Sequence, residues 1–336
     1  MKTFLVVLVF FGLTVRPGPL WSAEDQLEGG ALAGERFRVL ISSDAGGSDP
    51  DDLQSLVHYL VHADLFDTEG LISSPPGAGR ARDITEVIDL YEQDFPQLSK
   101  VEKNYPRPDQ LRGLVKQGAT DPAPESGISD ATEGSRWIID CARRQDDRPL
   151  WVLVWGSITD VAQAVHDASD IKERIRIYYI ASWNRKMDPN SFRYLEEHHP
   201  DLWIIQCETT FRGWYQGGDQ SGDLENGRFV AEHLDGHGAL GTWFAGLKAA
   251  GVDSGAIKMG DTPSVAYLLR GVAEDPTSPS WGGQFSRRAD RPHWYVDRDD
   301  PDLAQGDKKG ARTVSRWREA FLRDWQSRMD RCLPSH

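Results

Sequence analysis

Short apolar runs alternate with amphipathic helical patterns along this chain, and that alternation constrains its fold more than any other feature. The clearest apolar run is PLWVLVW at residues 149–155, and an earlier one is FRVLIS at residues 37–42. Continuous runs of this length are typical of strands buried on both faces of a parallel sheet. The segment 51–63 that follows the first run places its leucines and valine on one helical face.

The same alternation continues and predicts one α/β domain over residues 36–336. We expect a mostly parallel open sheet with helices on both faces, which is a Rossmann-like arrangement. A stretch rich in Gly, Pro, Ser and Asp at 118–134 predicts a long loop, either a lid or a mobile surface insertion. The predicted strands are 37–42, 68–73, 149–155, 175–181 and 202–206, and the predicted helices are 51–63, 84–95, 109–117, 135–144, 160–168, 191–198 and 316–332.

The N-terminal residues carry the pattern of an export signal. Lys2 precedes an apolar run at residues 4–13, which is too short to span a bilayer but fits the core of a signal peptide. We expect a signal peptide over residues 1–23, cleaved after Ala23, and a flexible Gly-rich leader over 24–35. The alternative is that the apolar run is a short buried strand. The interpretation predicts a periplasmic or secreted protein that keeps no membrane segment after cleavage.

Charge and cysteine content exclude several classes of function. Fifty-two acidic and 38 basic residues give a net charge of −14, which disfavours binding to nucleic acid. The three cysteines, Cys141, Cys207 and Cys332, are widely spaced and odd in number. They therefore predict neither a disulfide framework nor a zinc site.

An acidic loop follows the first predicted strand and is the strongest sign of a functional site. It carries Asp44, Asp49, Asp51 and Asp52, together with two adjacent glycines. Ligands of open α/β sheets bind outside the carboxyl ends of the strands, which is where this loop lies. Four carboxylates so close together repel one another unless a cation neutralises them, and their oxygens suit Ca²⁺ or Mg²⁺. The alternative is helix capping, which would account for one aspartate but not for four.

A second acidic position comes late in the chain. Asp261 precedes Thr262 and Pro263 and then an apolar helical run. Proline is favoured in the first turn of a helix, so Asp261 lies at a predicted helix start. It is either a further metal ligand or only the N-cap of that helix.

These segments resemble the nucleoside-hydrolase superfamily, and most closely its nucleoside-hydrolase-like domain found at the N-terminus of some cellulose-binding proteins. The resemblance spans roughly residues 37–290 and departs from the family in a longer acidic loop, in Ser42, in Gly260 and in the segment Pro75-Pro76-Gly77. The segments that carry it are SDAGGSDPDDLQSLV (43–57), FDTEGLISS (66–74), YPRPDQLRGLVKQG (105–118), DDRPLWVLVWGSITDVAQAV (146–165), FRGWY (211–215), HGALG (237–241), GDTPSVAYLL (260–269) and SWGGQF (280–285).

The resemblance implies a role for each matching residue. Asp44 would bind the metal and act as the general base, and Asp51 would both bind the metal and hold sugar hydroxyls. Asp52, Asp261 and the main-chain carbonyl of Trp155 would be further metal ligands. Asn184, in an Asn-x-x-x-Asp-Pro segment, is similar to a sugar-binding asparagine of the family.

The chemistry that the resemblance implies is calcium-dependent hydrolysis of the N-glycosidic bond in nucleosides or related ribosides. His237 of HGALG is a candidate acid for the leaving group, and Trp281 is a candidate platform for a sugar or base, although structural roles are open for both. Arg212 of FRGWY is expected to hold a structural carboxylate rather than to contact substrate. The family often forms homo-oligomers, so self-association is possible here.

Two other functions stay open. One is a non-catalytic, calcium-containing carbohydrate-binding domain, which the export signal and the kinship with cellulose-binding proteins favour. The other is hydrolysis of an O-glycoside at the same site. Hydrolases of O-glycosides usually place two carboxyl groups on opposite sides of the bond, whereas these carboxylates are expected to converge on one ion.

Overall fold

The computed structural model describes residues 27–47, 49–74, 76–248 and 256–334, and these form an eight-stranded sheet covered by helices on both faces. The sheet runs in the order β3-β2-β1-β4-β5-β6-β8-β7, and only β7 is antiparallel to its neighbour. This confirms the predicted α/β class and the mostly parallel sheet. The strands are β1 Phe37–Ser43, β2 Phe66–Ser73, β3 Val115–Gln117, β4 Leu150–Val154, β5 Ile175–Ile180, β6 Ile204–Cys207, β7 Phe285–Arg287 and β8 Trp294–Asp297.

The helices fill the connections between the strands. Among the described residues, no helix combines the length and the hydropathy needed to cross a bilayer. The α-helices are α1 Asp51–Val61, α2 Ala81–Val101, α3 Pro108–Gly113, α4 Glu133–Ala142, α5 Thr159–Asp167, α6 Ser182–Met187, α7 Pro189–His198, α8 Asn226–His233, α9 Gly238–Gly246, α10 Thr262–Leu269, α11 Arg312–Ser315 and α12 Arg318–Met329.

Alternation of side chains along the central strands produces two separate apolar layers. In β1, Val39 and Ile41 pack on one face of the sheet, with helices that include α1, α2 and α10. Leu40 points to the other face, where α4, α5 and α7 contribute the covering residues. Burial on both faces explains why β1 and β4 are continuous apolar runs rather than alternating ones.

The strand order places a topological switch point between β1 and β4. From β1 the chain moves outward to β2 and β3, and from β4 it moves the opposite way to β5 and β6. Crossover loops therefore leave in opposite directions and open a crevice at the carboxyl ends of β1 and β4. The acidic loop begins at the end of β1, so the fold places it in that crevice.

The sequence prediction was wrong about two regions. The helix expected at 109–117 ends at Gly113, and Val115–Gln117 instead pairs with β2 as an edge strand. The sequence predicts no strand after 202–206, whereas β7 and β8 extend the sheet beyond β6. Strands of three and four residues are too short to give a clear periodic pattern, and their pairing partners are distant in sequence.

The N-terminal predictions fall partly outside the described residues. The proposed signal peptide and the first residues of the leader lie in the undescribed segment 1–26. From residue 27 the predicted leader lies against the domain: Ala31 is buried in the core and Leu32 packs beside it. The backbone amide of Gly30 also donates to the Glu35 carboxylate at 3.0 Å.

The long loop at 118–134 is tied to the sheet and lines no part of the crevice, contrary to the lid interpretation. Its chief anchor is Asp160 in α5, which is fully buried. Asp160 accepts hydrogen bonds from the Ala119 amide at 2.9 Å and from the hydroxyls of Ser74 and Thr132. Further along the loop, the Ser129 amide donates to Gln163 at 2.8 Å.

Replacing Asp160 with alanine should loosen this loop. The change removes the acceptor of one buried donor, Ser74, and of two half-buried donors. Hydrogen bonds to a charged group contribute roughly 1.5–3 kcal/mol each, so we expect a loss of about 3 kcal/mol or more in unfolding free energy. Denaturant unfolding and hydrogen exchange at the Ala119 amide measure both effects. The control is Asp130→Ala, an exposed carboxylate of the same loop; equal behaviour of the two variants would contradict the anchoring role.

Candidate functional site

A cleft of about 520 Å³ opens at the switch point, at the carboxyl ends of β1 and β4. Three separate chain segments bring carboxylates to it. Asp44 directly follows β1, Asp51 and Asp52 are the first two residues of α1, and Asp261 directly precedes α10. The structure therefore brings the acidic loop and Asp261 together, as the sequence predicts.

The carboxylates are close enough to share one ion. One oxygen from each of Asp51, Asp52 and Asp261 lies within 4.8 Å of the others. Asp52 is 5% exposed and Asp261 is 2% exposed, so water screens their repulsion poorly. The Asp261 Oδ2 atom is buried and has no hydrogen-bond partner among the described residues. A buried carboxylate oxygen without a donor is the environment that a hard cation would complete.

Helix capping does not account for these aspartates. The N-cap of α1 is Pro50, and Asp261 occupies the N-cap position of α10 without a side-chain capping hydrogen bond. Asp49 does accept a hydrogen bond from the Asp51 amide at 3.3 Å, and its other oxygen pairs with Lys258. Capping and ion pairing thus account for Asp49, while the other four aspartates need another explanation.

Burial raises the pKa of all four carboxyl groups, and repulsion between the carboxylates adds to the rise for Asp51, Asp52 and Asp261. The pKa of Asp51 rises to about 7, first because of burial and then because of the nearby Asp44 charge. Burial also raises the pKa of Asp44, and it raises those of Asp52 and Asp261 well above their usual range. The charge of Arg212 lowers the pKa of Asp51 and that of Lys258 lowers the pKa of Asp261, but neither offsets burial. A divalent cation between the carboxylates would lower their pKa values further.

The loop after β4 approaches Asp44 closely because residue 156 is a glycine. A Cβ atom at Gly156 would lie 2.7 Å from the Asp44 Cβ, which is too close for any other residue. The preceding Trp155 amide donates to the Ser42 carbonyl at 2.7 Å and continues the β1–β4 ladder. The Trp155 carbonyl accepts a hydrogen bond from the Asn184 side-chain amide at 2.7 Å, which leaves the second lone pair of that carbonyl oxygen free.

Asn184 is the predicted sugar-binding residue that the structure brings to the cleft. It lies in α6, and its Nδ2 atom donates both to the Trp155 carbonyl and to the Ile180 carbonyl, the latter at 2.9 Å. With both amide protons held by backbone, the Asn184 carbonyl oxygen remains as its acceptor. The side chain is therefore fixed relative to β4 and β5.

His237 and Trp281 are not brought to the cleft, which corrects their predicted roles in substrate binding. His237 precedes α9, whose first amides at Ala239 and Leu240 donate to Asp94 of α2 and hold the helix there. The His237 Nε2 atom lies 3.3 Å from the Asp330 carboxylate. Trp281 is 4% exposed and packs in the apolar core.

Three residues that the sequence did not assign to substrate line the cleft instead: Trp183, Arg212 and Tyr215. Trp183 is 65% exposed at the start of α6. Arg212 makes no ion pair within the described part of the chain, so the expected structural carboxylate is absent there; its Nη1 atom donates to the Tyr215 hydroxyl at 3.1 Å. The motif FRGWY held the clue, since a cation and a phenol three residues apart on one helical turn can meet.

Two solved structures illustrate what this chain is similar to, and the first of them supports the same fold. A nucleoside hydrolase-related hypothetical protein from Saccharophagus degradans, associated with carbohydrate metabolism, is 25% identical with a TM-score of 0.70 and covers 90% of this chain and 73% of its own. An inosine-uridine preferring nucleoside hydrolase from Bacillus anthracis is 16% identical with a TM-score of 0.49, covering 88% of this chain and 100% of its own. No protein with a curated description matches the sequence.

The family comparison is more specific. The family described as cellulose-binding Sde182, nucleoside hydrolase-like domain, matches residues 38–285. That span contains β2 to β6 in full, all of β1 but its first residue, and every carboxylate of the cleft. The chain therefore belongs to the Sde182 family of nucleoside hydrolase-like domains.

Proposed function

We propose that this chain is an exported, calcium-dependent hydrolase of N-glycosidic bonds, acting on nucleosides or related ribosides. The observation that carries the proposal is the convergence of Asp44, Asp51, Asp52 and Asp261 at the switch point, with one buried oxygen of Asp261 left unpaired. Gathering two buried and two half-buried carboxylates without a cation would destabilise the fold.

Calcium is the cofactor that the donors favour. The proposed ligands are the carboxylates of Asp44, Asp51, Asp52 and Asp261 and the carbonyl of Trp155, all of which are hard oxygen atoms. When bound, the ion would offset the carboxylate charge and lower the pKa of the attacking water. An all-protein set of oxygen ligands suits Ca²⁺ better than Mg²⁺, which keeps more of its own water.

The residues around the ion would divide the remaining work. Asp44 would take the proton of the attacking water, because it lies at the cleft end of β1 beside the shared site. Asp51 and the free carbonyl oxygen of Asn184 would accept hydrogen bonds from sugar hydroxyls and fix the reacting carbon. The substrate would be a small glycoside rather than nucleic acid, in keeping with the net charge of −14.

A second candidate function is carbohydrate binding without turnover. It is supported by the family description and by Trp183, whose exposed indole at the cleft mouth could stack on a sugar ring. An O-glycoside hydrolase is less well supported, because the carboxylates converge rather than face each other across a bond. Export rests on the proposed signal peptide at 1–23, and self-association rests on the family resemblance.

Calcium should stabilise the protein, and increasingly so as pH rises. Burial places the pKa of Asp51 at about 7, above its unfolded value of roughly 4, so the calcium-free protein should lose stability as pH rises between these values. Calcium favours the ionised carboxylates, so its benefit grows over the same range. At a calcium concentration 100 times the Kd the gain is about 2.7 kcal/mol. Thermal unfolding at pH 5 and pH 8, with calcium or with chelator, measures this stabilisation and its dependence on pH.

Two variants distinguish a proposed calcium ligand, Asp261, from the neighbouring carboxylate Asp49. Asp261→Asn should lose the calcium-dependent rise in Tm at pH 8. Asp49→Asn should keep it, because Asp49 is 45% exposed and is paired with Lys258. Equal loss in both variants, or no calcium effect on the parent protein, would contradict the proposed ligand set.

Asp44→Asn should lower kcat by about 100-fold or more, the usual contribution of a general base, while sugar binding is partly retained. The assay is a panel of nucleosides and aryl glycosides, each with calcium and with chelator. Ribose binding measured by calorimetry provides the control for an intact site. If the variant is as active as the parent, Asp44 is not the general base. If the parent protein binds sugar but cleaves no substrate, the carbohydrate-binding function is favoured.

A further inference from the structure

Breaking a glycosidic bond requires a hydrogen-bond donor for the departing group, and the cleft has few candidates. No histidine lines it within the described part of the chain, and His237 is held against Asp330 elsewhere. The carboxylates are committed to the proposed cation and to the sugar. The donor must therefore come from the remaining polar residues of the cleft wall.

Most of those residues are already occupied. Both amide protons of Asn184 are donated to the carbonyls of Trp155 and Ile180. Lys258 is paired with the Asp49 carboxylate. The hydroxyl of Ser182 receives no hydrogen bond from a charged group within the described part of the chain, and the indole N–H of Trp183 can only donate, so no cation polarises either donor.

Tyr215 differs from these residues in its hydrogen bonding. Its hydroxyl oxygen accepts the Arg212 Nη1 hydrogen at 3.1 Å. Among the described residues, no group accepts the hydroxyl proton of Tyr215 in return, so that proton is free to be donated. A hydroxyl that accepts from a cation becomes a stronger donor, because the two hydrogen bonds polarise each other.

The segment that carries this pair is held rigidly. Arg212 belongs to the 3₁₀ turn Thr210–Trp214, and its guanidinium lies 4.9 Å from the centroid of the Phe211 ring. A Cβ atom at Gly213 would collide with the carbonyl oxygen of Ala311, so only glycine allows the turn to pack this closely against α11. The Arg212 Nε atom is buried and has no hydrogen-bond partner among the described residues, so the hydrogen bond to Tyr215 is the contact that orients the guanidinium, whose charge also lowers the pKa of Asp51.

We propose that Tyr215, polarised by Arg212, donates the hydrogen bond that stabilises the leaving group. The inference rests on the proposed hydrolase function. The bond between the anomeric carbon and the leaving nitrogen breaks, and its electron pair goes to the leaving base. The Tyr215 hydroxyl donates a hydrogen bond to that base. Water adds to the anomeric carbon and gives its proton to Asp44, and solvent returns one proton to the released base. Arg212 is a positioning residue that acts through Tyr215.

The test compares two substrates that share a sugar but differ in leaving group. A nucleoside releases a base that needs stabilisation, whereas a p-nitrophenyl riboside releases a stable phenolate. Tyr215→Phe should lower kcat/KM for the nucleoside by about 100-fold and leave the nitrophenyl riboside nearly unchanged. Arg212→Gln should show the same dependence on leaving group with a smaller loss.

Control measurements separate this role from a structural one. Tyr194→Phe removes a hydroxyl that bonds His166 at 2.7 Å outside the cleft, and it should leave both substrates unaffected. The Tm of Tyr215→Phe and its response to calcium should match those of the parent. Equal losses on both substrates, or no loss on the nucleoside, would overturn the role of Tyr215 but leave the proposed hydrolase function standing. A parent that cleaves neither substrate would overturn the proposed function and this role with it.

Discussion

Repulsion among buried carboxylates is the interaction on which the rest of this site depends. Asp52 and Asp261 come from helix starts that are more than 200 residues apart in the chain, yet their oxygens lie within 4.8 Å of each other and of an Asp51 oxygen. Such a cluster raises the free energy of the folded state unless protons or a cation neutralise it. The apolar packing of β1 and β4 on both faces of the sheet stabilises the fold and offsets that cost.

Much of this could be predicted from the sequence because the relevant patterns are local. The buried runs of β1 and β4 and the acidic loop between β1 and α1 are contiguous segments, and parallel topology dictates that strand ends gather at one edge. Asp261 was found in the same way, from a helix start preceded by an acid. The meeting of these segments followed from topology together with the family resemblance.

The wrong predictions about site residues share one physical cause: a sequence motif does not show which way its segment faces in the fold. HGALG marks a real helix start, but Asp94 of α2 captures its first amides and turns His237 away from the cleft. Trp281 is in a glycine-flanked loop, yet its ring completes the core. Arg212 and Tyr215 were visible in FRGWY, but only three-dimensional packing shows that they meet each other rather than a carboxylate. The short strands β3, β7 and β8 depend on partners distant in sequence.

The central claim is that the cluster binds one divalent cation in place of protons, and calorimetric titration tests it most directly. Calcium is titrated into chelator-treated protein at pH 7 in buffers with different enthalpies of ionisation, which gives both the stoichiometry and the number of protons released. The account predicts one site per chain and release of about one proton or more, because burial raises the pKa of Asp51 to about 7 and raises those of Asp52 and Asp261 well above their usual range. Absence of saturable binding, or binding without proton release, would contradict it.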